Sequence, residues 1–282
     1  MTKGGALATR RRLDAELLHR GLVPSRSAAR SEIEAGRVLV DGAVVTKAAK
    51  PIAPGSTVDL VGDRLRYVSR AGGKLDHALD RFALDVAGLT ALDVGSSTGG
   101  FTDCLLQRGA ARVVAVDVGT EQLHARLRDD PRVDVREQTD IRHLAPASVP
   151  APFGIIVTDV SFISLRLVLP VLVPLAAGAP VVTLVKPQFE AGRADVARGG
   201  GIIDDPVIWR RVLGEVRAEA ATVGLPLRGV TPSPMRGSKG NVEFAAWWQA
   251  DGNSLNPVEG LPAELGDRHL DEVVTAAETS ST

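Results

Sequence analysis

From residue 90 onward, short apolar runs alternate with stretches of helical periodicity. The runs are Ala91 to Val94, Val113 to Val118, Val133 to Arg136, Ile155 to Thr158 and Val181 to Val185. Alternation of this kind predicts a mostly parallel, doubly wound α/β sheet. The intervening helices are expected at Phe101 to Gln107, Glu121 to Arg128 and Pro206 to Val223, the last capped by Asp204. Further strands are expected near Leu227 to Val230 and Val242 to Trp247. Ligands of such sheets bind beyond the carboxyl ends of the strands. Asp93, Asp117, Asp140, Asp159 and Lys186 all fall at such ends, and strand ends rarely gather that many charges for packing.

The first strand runs into the turn Asp93-Val-Gly-Ser-Ser-Thr-Gly-Gly-Phe101. Glycine between a strand and a helix N-terminus lets the backbone approach a ligand closely. The spacing is D-x-G-x-x-x-G-G rather than the G-x-G-x-x-G of a dinucleotide fold. Its carboxylate would repel a diphosphate and suits a ligand with a cationic end, for which S-adenosylmethionine (SAM) is the expectation. Asp93 is then placed near the methionine ammonium, Asp117 at the ribose hydroxyls and Asp140 at the adenine amino group. Gly95, Ser97, Gly99, Gly100 and Phe101 form the cradle, with Val118 and Ile141 beside the nucleoside. The alternative, an ordinary glycine-rich turn, explains the loop but not three acids in register.

Four further residues suit proton transfer: Lys74, Asp159, Lys186 and Glu243. Methyl transfer needs a positioned nucleophile stripped of its proton. A lysine serves as base only when desolvation or a second cation lowers its pKa, so Lys74 is expected to tune Lys186 while Asp159 and Glu243 orient it. Lys74 or Glu243 alone would read as a surface salt-bridge partner. Lys186-Pro187 and Thr158-Asp159-Val160 close apolar strands and are harder to read that way.

The 282 residues, 44% of them hydrophobic, suffice for one full core and a smaller module. The net charge of -1 conceals an asymmetry. Residues 1–76 hold fourteen Lys and Arg against eight Asp and Glu, whereas residues 251–282 hold seven acids against Arg268 alone. A basic head on a neutral chain points to a polyanion partner. The tail from Asp251, acidic and poor in aromatics, is expected to be disordered or partly helical. One cysteine, Cys104, leaves no disulfide framework and no cysteine-based zinc site, and the histidines lack metal-ligand spacing; no metal is expected. Residues 1–18 contain no apolar signal core. The uncharged stretch Leu167 to Val185 is interrupted by Pro170, Pro174, Gly178 and Pro180, so it reads as a buried helix, a turn and a strand rather than a membrane span. A soluble, cytoplasmic monomer is expected.

Residues 10–61 read as two short helices and a hairpin at Asp41-Gly42, with Ser27 as the expected N-cap of the second helix. Arg10, Arg12, Arg26, Arg30, Arg37, Lys47 and Lys50 surround it, and Arg64, Arg66 and Arg70 lie on a connector. A solvated surface would account for any one of these. Together they favour nucleic-acid phosphates, and Arg10, Arg12, Arg26, Arg30, Lys47, Lys50, Arg66 and Arg70 are the expected RNA contacts.

Arg12-Leu-Asp, Ser25-Arg-Ser-Ala-Ala and Ile33-Glu-Ala-Gly-Arg-Val-Leu-Val-Asp-Gly resemble the alpha-L RNA-binding motif, which implies binding to structured RNA. The order Lys74, Asp159, Lys186, Glu243 resembles the catalytic quartet of the FtsJ-like ribose 2′-O-methyltransferases. Joined to the basic head, Val68-Ser-Arg-Ala-Gly-Gly-Lys-Leu75, Val185-Lys-Pro-Gln-Phe-Glu190 and Gly237-Ser-Lys-Gly-Asn-Val-Glu243 make residues ~10–250 resemble the TlyA family, historically called haemolysins. The resemblance implies a small α+β RNA-binding domain over residues 1–62 and a basic linker over 63–73. A Rossmann-like SAM-dependent methyltransferase domain over 74–250 and an acidic tail over 251–282 would follow. It also implies 2′-O-methylation of cytidine in small- or large-subunit ribosomal RNA, and a link to capreomycin susceptibility. A cytolysin, as the old name suggests, would need a membrane-active segment that the chain lacks. An RNA-binding assembly factor with a silent catalytic domain is the remaining alternative, and the intact quartet speaks against it.

Overall fold

The computed structural model describes residues 10–23, 25–34, 36–61, 66–237, 239–250, 252–253, 256–257 and 262–279. The chain divides into two units, Met1–Arg70 and Ala71–Thr282.

In the first unit β1 (Arg11–Arg12) leads into α1 (Leu13–His19) and α2 (Arg26–Glu34). The strands β2 (Val38–Val40), β3 (Ala43–Val44), β4 (Pro51–Ile52) and β5 (Val58–Leu60) follow. Leu13 and Leu17 lie four residues apart, as do Ala29 and Ile33, so each helix turns one apolar face inward against Val38, Ile52 and Val58. Strand β2 is the centre of an antiparallel sheet ordered β3-β2-β5, and β1 pairs with β4. Asp41 and Gly42 both take positive φ at the hairpin turn, as a two-residue loop of this twist requires. The cap of α2 is Ser25 rather than Ser27: its hydroxyl accepts the Ala28 amide at 3.1 Å.

The second unit opens with α3 (Ala71–Phe82), β6 (Thr90–Val94), α4 (Gly100–Gln107), β7 (Arg112–Val116), α5 (Ala125–Arg128), β8 (Val133–Arg136) and β9 (Ile155–Thr158). It continues with α6 (Leu169–Ala176), β10 (Val181–Val185), α7 (Pro187–Glu190), α8 (Arg193–Arg198), α9 (Pro206–Thr222), β11 (Leu227–Pro232), β12 (Phe244–Trp248) and α10 (Asp267–Thr279). Among the described residues, seven strands form one sheet ordered β11-β12-β10-β9-β6-β7-β8. Strands β8, β7, β6, β9 and β10 run parallel, and β12 runs antiparallel to both of its neighbours. The chain leaves β6 toward β7 and β8, then returns to β9 on the other side of β6. The carboxyl ends of β6 and β9 therefore flank the switch point, where doubly wound sheets bind ligands.

Several elements depart from the sequence-based expectation for local reasons. Helix α3 begins at Ala71, so Lys74 lies within its first turns and the connector ends earlier than expected. Only Ala125–Arg128 of the expected 121–128 helix forms. The amides of Glu121, Gln122 and Leu123 bond the Glu137 carboxylate at 2.7–3.1 Å instead of joining a helical ladder. Asp205, not Asp204, caps α9 by accepting the Val207 amide. The uncharged 167–185 stretch is indeed helix, left-handed turn at Ala177-Gly178, and buried strand. No helix among the described residues is long and apolar enough to cross a membrane. Of the two forms expected for the acidic tail, its end takes the helical one: α10 packs Leu270, Val274 and Ala277 into the core. Its acids Asp267 and Asp271 pair with Arg210 of α9. An apolar stripe at i, i+4 and i+7 supplies the burial that the composition of the whole tail concealed.

Candidate active site

The loop after β6 is built by close approach. Gly95 has φ +79°, and a Cβ there would stand 2.9 Å from the carbonyl oxygen of Asp159. Glycine thus lets the loops leaving β6 and β9 touch at the switch point. Gly99 takes φ +94° at the start of α4, but a side chain there would strike Leu123 and Leu127. It serves packing as well as any ligand. Phe101 is buried, which leaves its backbone amide, beside that of Gly100, for an anion at the start of α4.

Asp93 is 0% exposed. Its Oδ2 accepts the Thr102 hydroxyl at 2.6 Å, while Oδ1 has no hydrogen-bond partner. Burial pushes its carboxyl up to about 7, with Thr102 opposing and the charge of Asp159 adding to the rise. Asp117 spans the loop: Oδ2 accepts the Ser97 amide at 2.8 Å and Oδ1 the Gly119 amide at 2.7 Å. Val118 follows it, 71% exposed at the end of β7. Asp140 is more committed than expected. Its carboxylate accepts the backbone and guanidinium of Arg142, which hold it down to about 2. The neighbouring Ile141 is buried in the core.

The four residues expected to carry chemistry meet. Lys186 follows β10 and its Nζ lies 2.5 Å from Asp159 Oδ1 after β9, and donates to Ser161 Oγ at 3.1 Å. Lys74 on α3 lies 2.5 Å from Glu243, which precedes β12. In the β10–β12 register Val185 faces Phe244, so Lys186 and Glu243 are neighbours one residue further along. Gln188, two residues beyond Lys186, donates to Glu243 Oε1 at 3.5 Å. Each lysine therefore has its own carboxylate.

Other residues escaped the sequence reading. The Glu190 carboxylate accepts the Ser164 hydroxyl and the Leu165 amide at 2.6 and 2.7 Å, tying the segment after β10 to the loop after β9. Burial raises its pKa against those two bonds. Phe162 is 91% exposed with φ +64°, a backbone conformation costly for an aromatic residue. Its ring lies 5.1 Å from that of Phe189, which in turn lies 5.8 Å from Lys186 Nζ. In a chain with 4% aromatics, two phenylalanines inside the two charged strand-end motifs were the available signal.

In the head, Arg12, Arg26 and Arg30 converge on one buried acid, Asp14. Arg10, Lys47 and Lys50 are exposed. Arg37, by contrast, is held by Glu32 at 2.7 Å. Arg66 lies 5.1 Å from the Tyr67 ring centroid and Arg70 is half-buried, while Arg64 lies outside the described residues. Among the described residues no cluster of His, Cys, Asp and Glu is placed to hold a metal ion.

Comparison with known proteins bears on this geometry. Residues 67–250 match the FtsJ-like methyltransferase family and residues 11–58 the S4 domain family. A Mycobacterium tuberculosis protein named 16S/23S rRNA (cytidine-2′-O)-methyltransferase TlyA is 45% identical over 90% of this chain and 96% of its own. The chain belongs to the TlyA family of FtsJ-like methyltransferases. Hemolysin A of Brachyspira hyodysenteriae is a further relative, 40% identical over 83% of this chain and 98% of its own. A solved structure from Streptococcus thermophilus, also carrying the hemolysin name, is 40% identical and covers 97% of each chain with a TM-score of 0.75. For a TlyA-family chain the hemolysin label is historical, and the methyltransferase domain is the feature shared with the relative named for RNA modification.

Proposed function

We propose that this protein methylates a ribose 2′-hydroxyl of ribosomal RNA, in the small subunit, the large subunit or both, with SAM as methyl donor. The observation that carries the reading is the meeting of the pairs Asp159–Lys186 and Lys74–Glu243 at the carboxyl edge of a methyltransferase sheet. The Mycobacterium tuberculosis relative is named for this position on cytidine.

The residues around the switch point fit the cofactor. Asp93 offers a buried carboxylate oxygen without a partner, an acceptor suited to the ammonium group of the methionine moiety. The start of α4 offers N–H groups to a carboxylate. Asp117 spends one acceptor site per oxygen on backbone amides, which leaves sites for two ribose hydroxyls. Val118 gives an apolar surface for the base, while Asp140 is the least available because Arg142 holds it. When bound, SAM supplies an electrophilic methyl group. The work of the chain is to present the hydroxyl and remove its proton. Lys186 Nζ, having released its own proton, accepts that of the 2′-hydroxyl; Asp159 and Ser161 fix its direction. Lys74 and Glu243 form the second wall of the site. The exposed Phe162 ring suits stacking by a nucleobase. The head, residues 1–62, anchors RNA, and residues 63–70 join it to the catalytic domain, which opens with α3 at Ala71.

The test is transfer of labelled methyl groups to isolated ribosomal subunits, followed by alkaline hydrolysis. A 2′-O-methyl group removes the hydroxyl that attacks the neighbouring phosphate, so label is expected in an uncut dinucleotide. Complete cleavage to mononucleotides with label on a base would refute the ribose assignment. No labelling of either subunit would refute the substrate.

A further inference from the structure

The basic residues of the head are not equivalent. Asp14, the second residue of α1, is 0% exposed, yet three guanidiniums surround it. Arg12 grips it with two hydrogen bonds, Nε at 3.1 Å and Nη2 at 3.0 Å. Arg26 Nη2 lies 3.5 Å and Arg30 Nε 3.9 Å from the same Oδ2. The Ala15 amide donates to Oδ1 at 2.9 Å. Arg12 and that amide therefore satisfy the carboxylate on their own. Arg26 and Arg30 are drawn to it by charge, at separations longer than those of the Arg12 hydrogen bonds. Three cations around one anion leave a net charge of two, and the arginine side chains remain 50%, 55% and 60% exposed.

Local folding brings the rest of the basic edge to the same place. The amides of Leu13 and Asp14 bond the carbonyls of Lys50 and Ala48 at 2.9 and 3.1 Å. Arg12 pairs with Pro51 in the β1–β4 ladder. The turn bearing Lys47 and Lys50 is thus fastened beside the start of α1. Three like charges held within a few ångströms repel one another, so such a cluster persists only with a buried anion beneath it. What it presents outward, half exposed, are the guanidinium edges of Arg12, Arg26 and Arg30 that Asp14 does not occupy, a planar donor geometry that takes up phosphate oxygens in pairs.

We propose that Asp14 is a positioning residue that gathers Arg12, Arg26 and Arg30 into a single binding site for an RNA backbone phosphate. The proposal rests on the reading of the head as an RNA anchor. It makes an acid essential to anion binding, which separates it from a diffuse basic surface. On a diffuse surface, Asp14→Asn adds one unit of positive charge and strengthens RNA binding. In a gathered site it releases the arginines and weakens binding.

The test uses the full-length protein and a 20-base-pair RNA hairpin as phosphate probe, with affinity measured across a range of salt concentrations. Asp14→Asn is expected to lower affinity about tenfold and to flatten the slope of log affinity against log salt by about one contact. Asp14→Glu is expected to restore part of both. Arg26→Ala and Arg30→Ala, both on exposed side chains, are expected to lose affinity non-additively, the double variant losing less than the product of the single losses. That pair decides the question even if Asp14→Asn unfolds the head, which circular dichroism and a melting curve will show. Tighter binding by a folded Asp14→Asn, or strictly multiplicative losses for the arginine pair, would overturn the proposal. Because the hairpin is not a methylation substrate, failure of subunit methylation would strike the proposed function and leave this result standing.

Discussion

At the scale of single residues, two ionisable groups make opposite demands. Asp93 is buried with its carboxyl raised to about 7, whereas an unfolded chain holds the same group near ~3.9. Between those values the folded protein keeps a proton that the unfolded chain has released, so its contribution to stability falls as pH rises from about 4 to about 7 and levels off above. Asp93→Asn keeps an acceptor for Thr102 and never ionises. The melting-temperature advantage of the variant should therefore grow across that window. In equivalent stability it reaches a few kcal/mol at most, because each tenfold change in proton affinity is worth roughly 1.4 kcal/mol. A difference that stays constant with pH would show that Asp93 carries no extra proton. Lys186 is tested through turnover. If it takes the hydroxyl proton, Lys186→Ala should lose about 10²–10⁴-fold in kcat, with cofactor binding by calorimetry and RNA binding retained. A variant that keeps kcat but raises KM would move Lys186 from chemistry to binding.

The strand-end loops are the elements that turn these residues into a site, and Gly95 is where two of them touch. Alanine at 95 meets both a left-handed backbone, at about 1–2 kcal/mol, and the carbonyl of Asp159 at 2.9 Å. Gly224, also left-handed at φ +80° but with open space around its absent side chain, bears only the first cost. Gly224→Ala should therefore lower the melting temperature and spare activity. Gly95→Ala should lower both, because Asp159 must shift and carry Lys186 with it. Equal activity in the two variants would show that the Gly95–Asp159 contact has no catalytic consequence.

For the whole molecule, the division at Arg70 and Ala71 predicts separable tasks. Deleting residues 1–62 removes a core of its own, built on Leu13, Leu17, Ile33 and Val38, without touching the core under the sheet. The truncated protein should stay folded and bind SAM while methylation of subunits falls to background. Normal methylation of subunits by the truncated protein would remove the head from substrate capture.

The doubly wound sheet was legible because its signal is local: apolar runs of four to six residues, glycines at φ-positive turns and charges at strand ends each follow from neighbouring residues. The membership of the site was legible for the same reason, since Asp93, Asp117, Asp159 and Lys186 are attached to strands whose direction is shared. Tertiary structure alone chose the pairs. Lys74 and Glu243 are 169 residues apart in sequence, and they meet because β12 enters antiparallel between β10 and β11 and brings its first residues to the end where β10 finishes. The same holds for Asp14, an unremarked acid in a basic head, which becomes the centre of three arginines once α1 packs on α2. Composition counts charges, but the energy of a charge depends on distance and burial, and both are settled only when the elements pack.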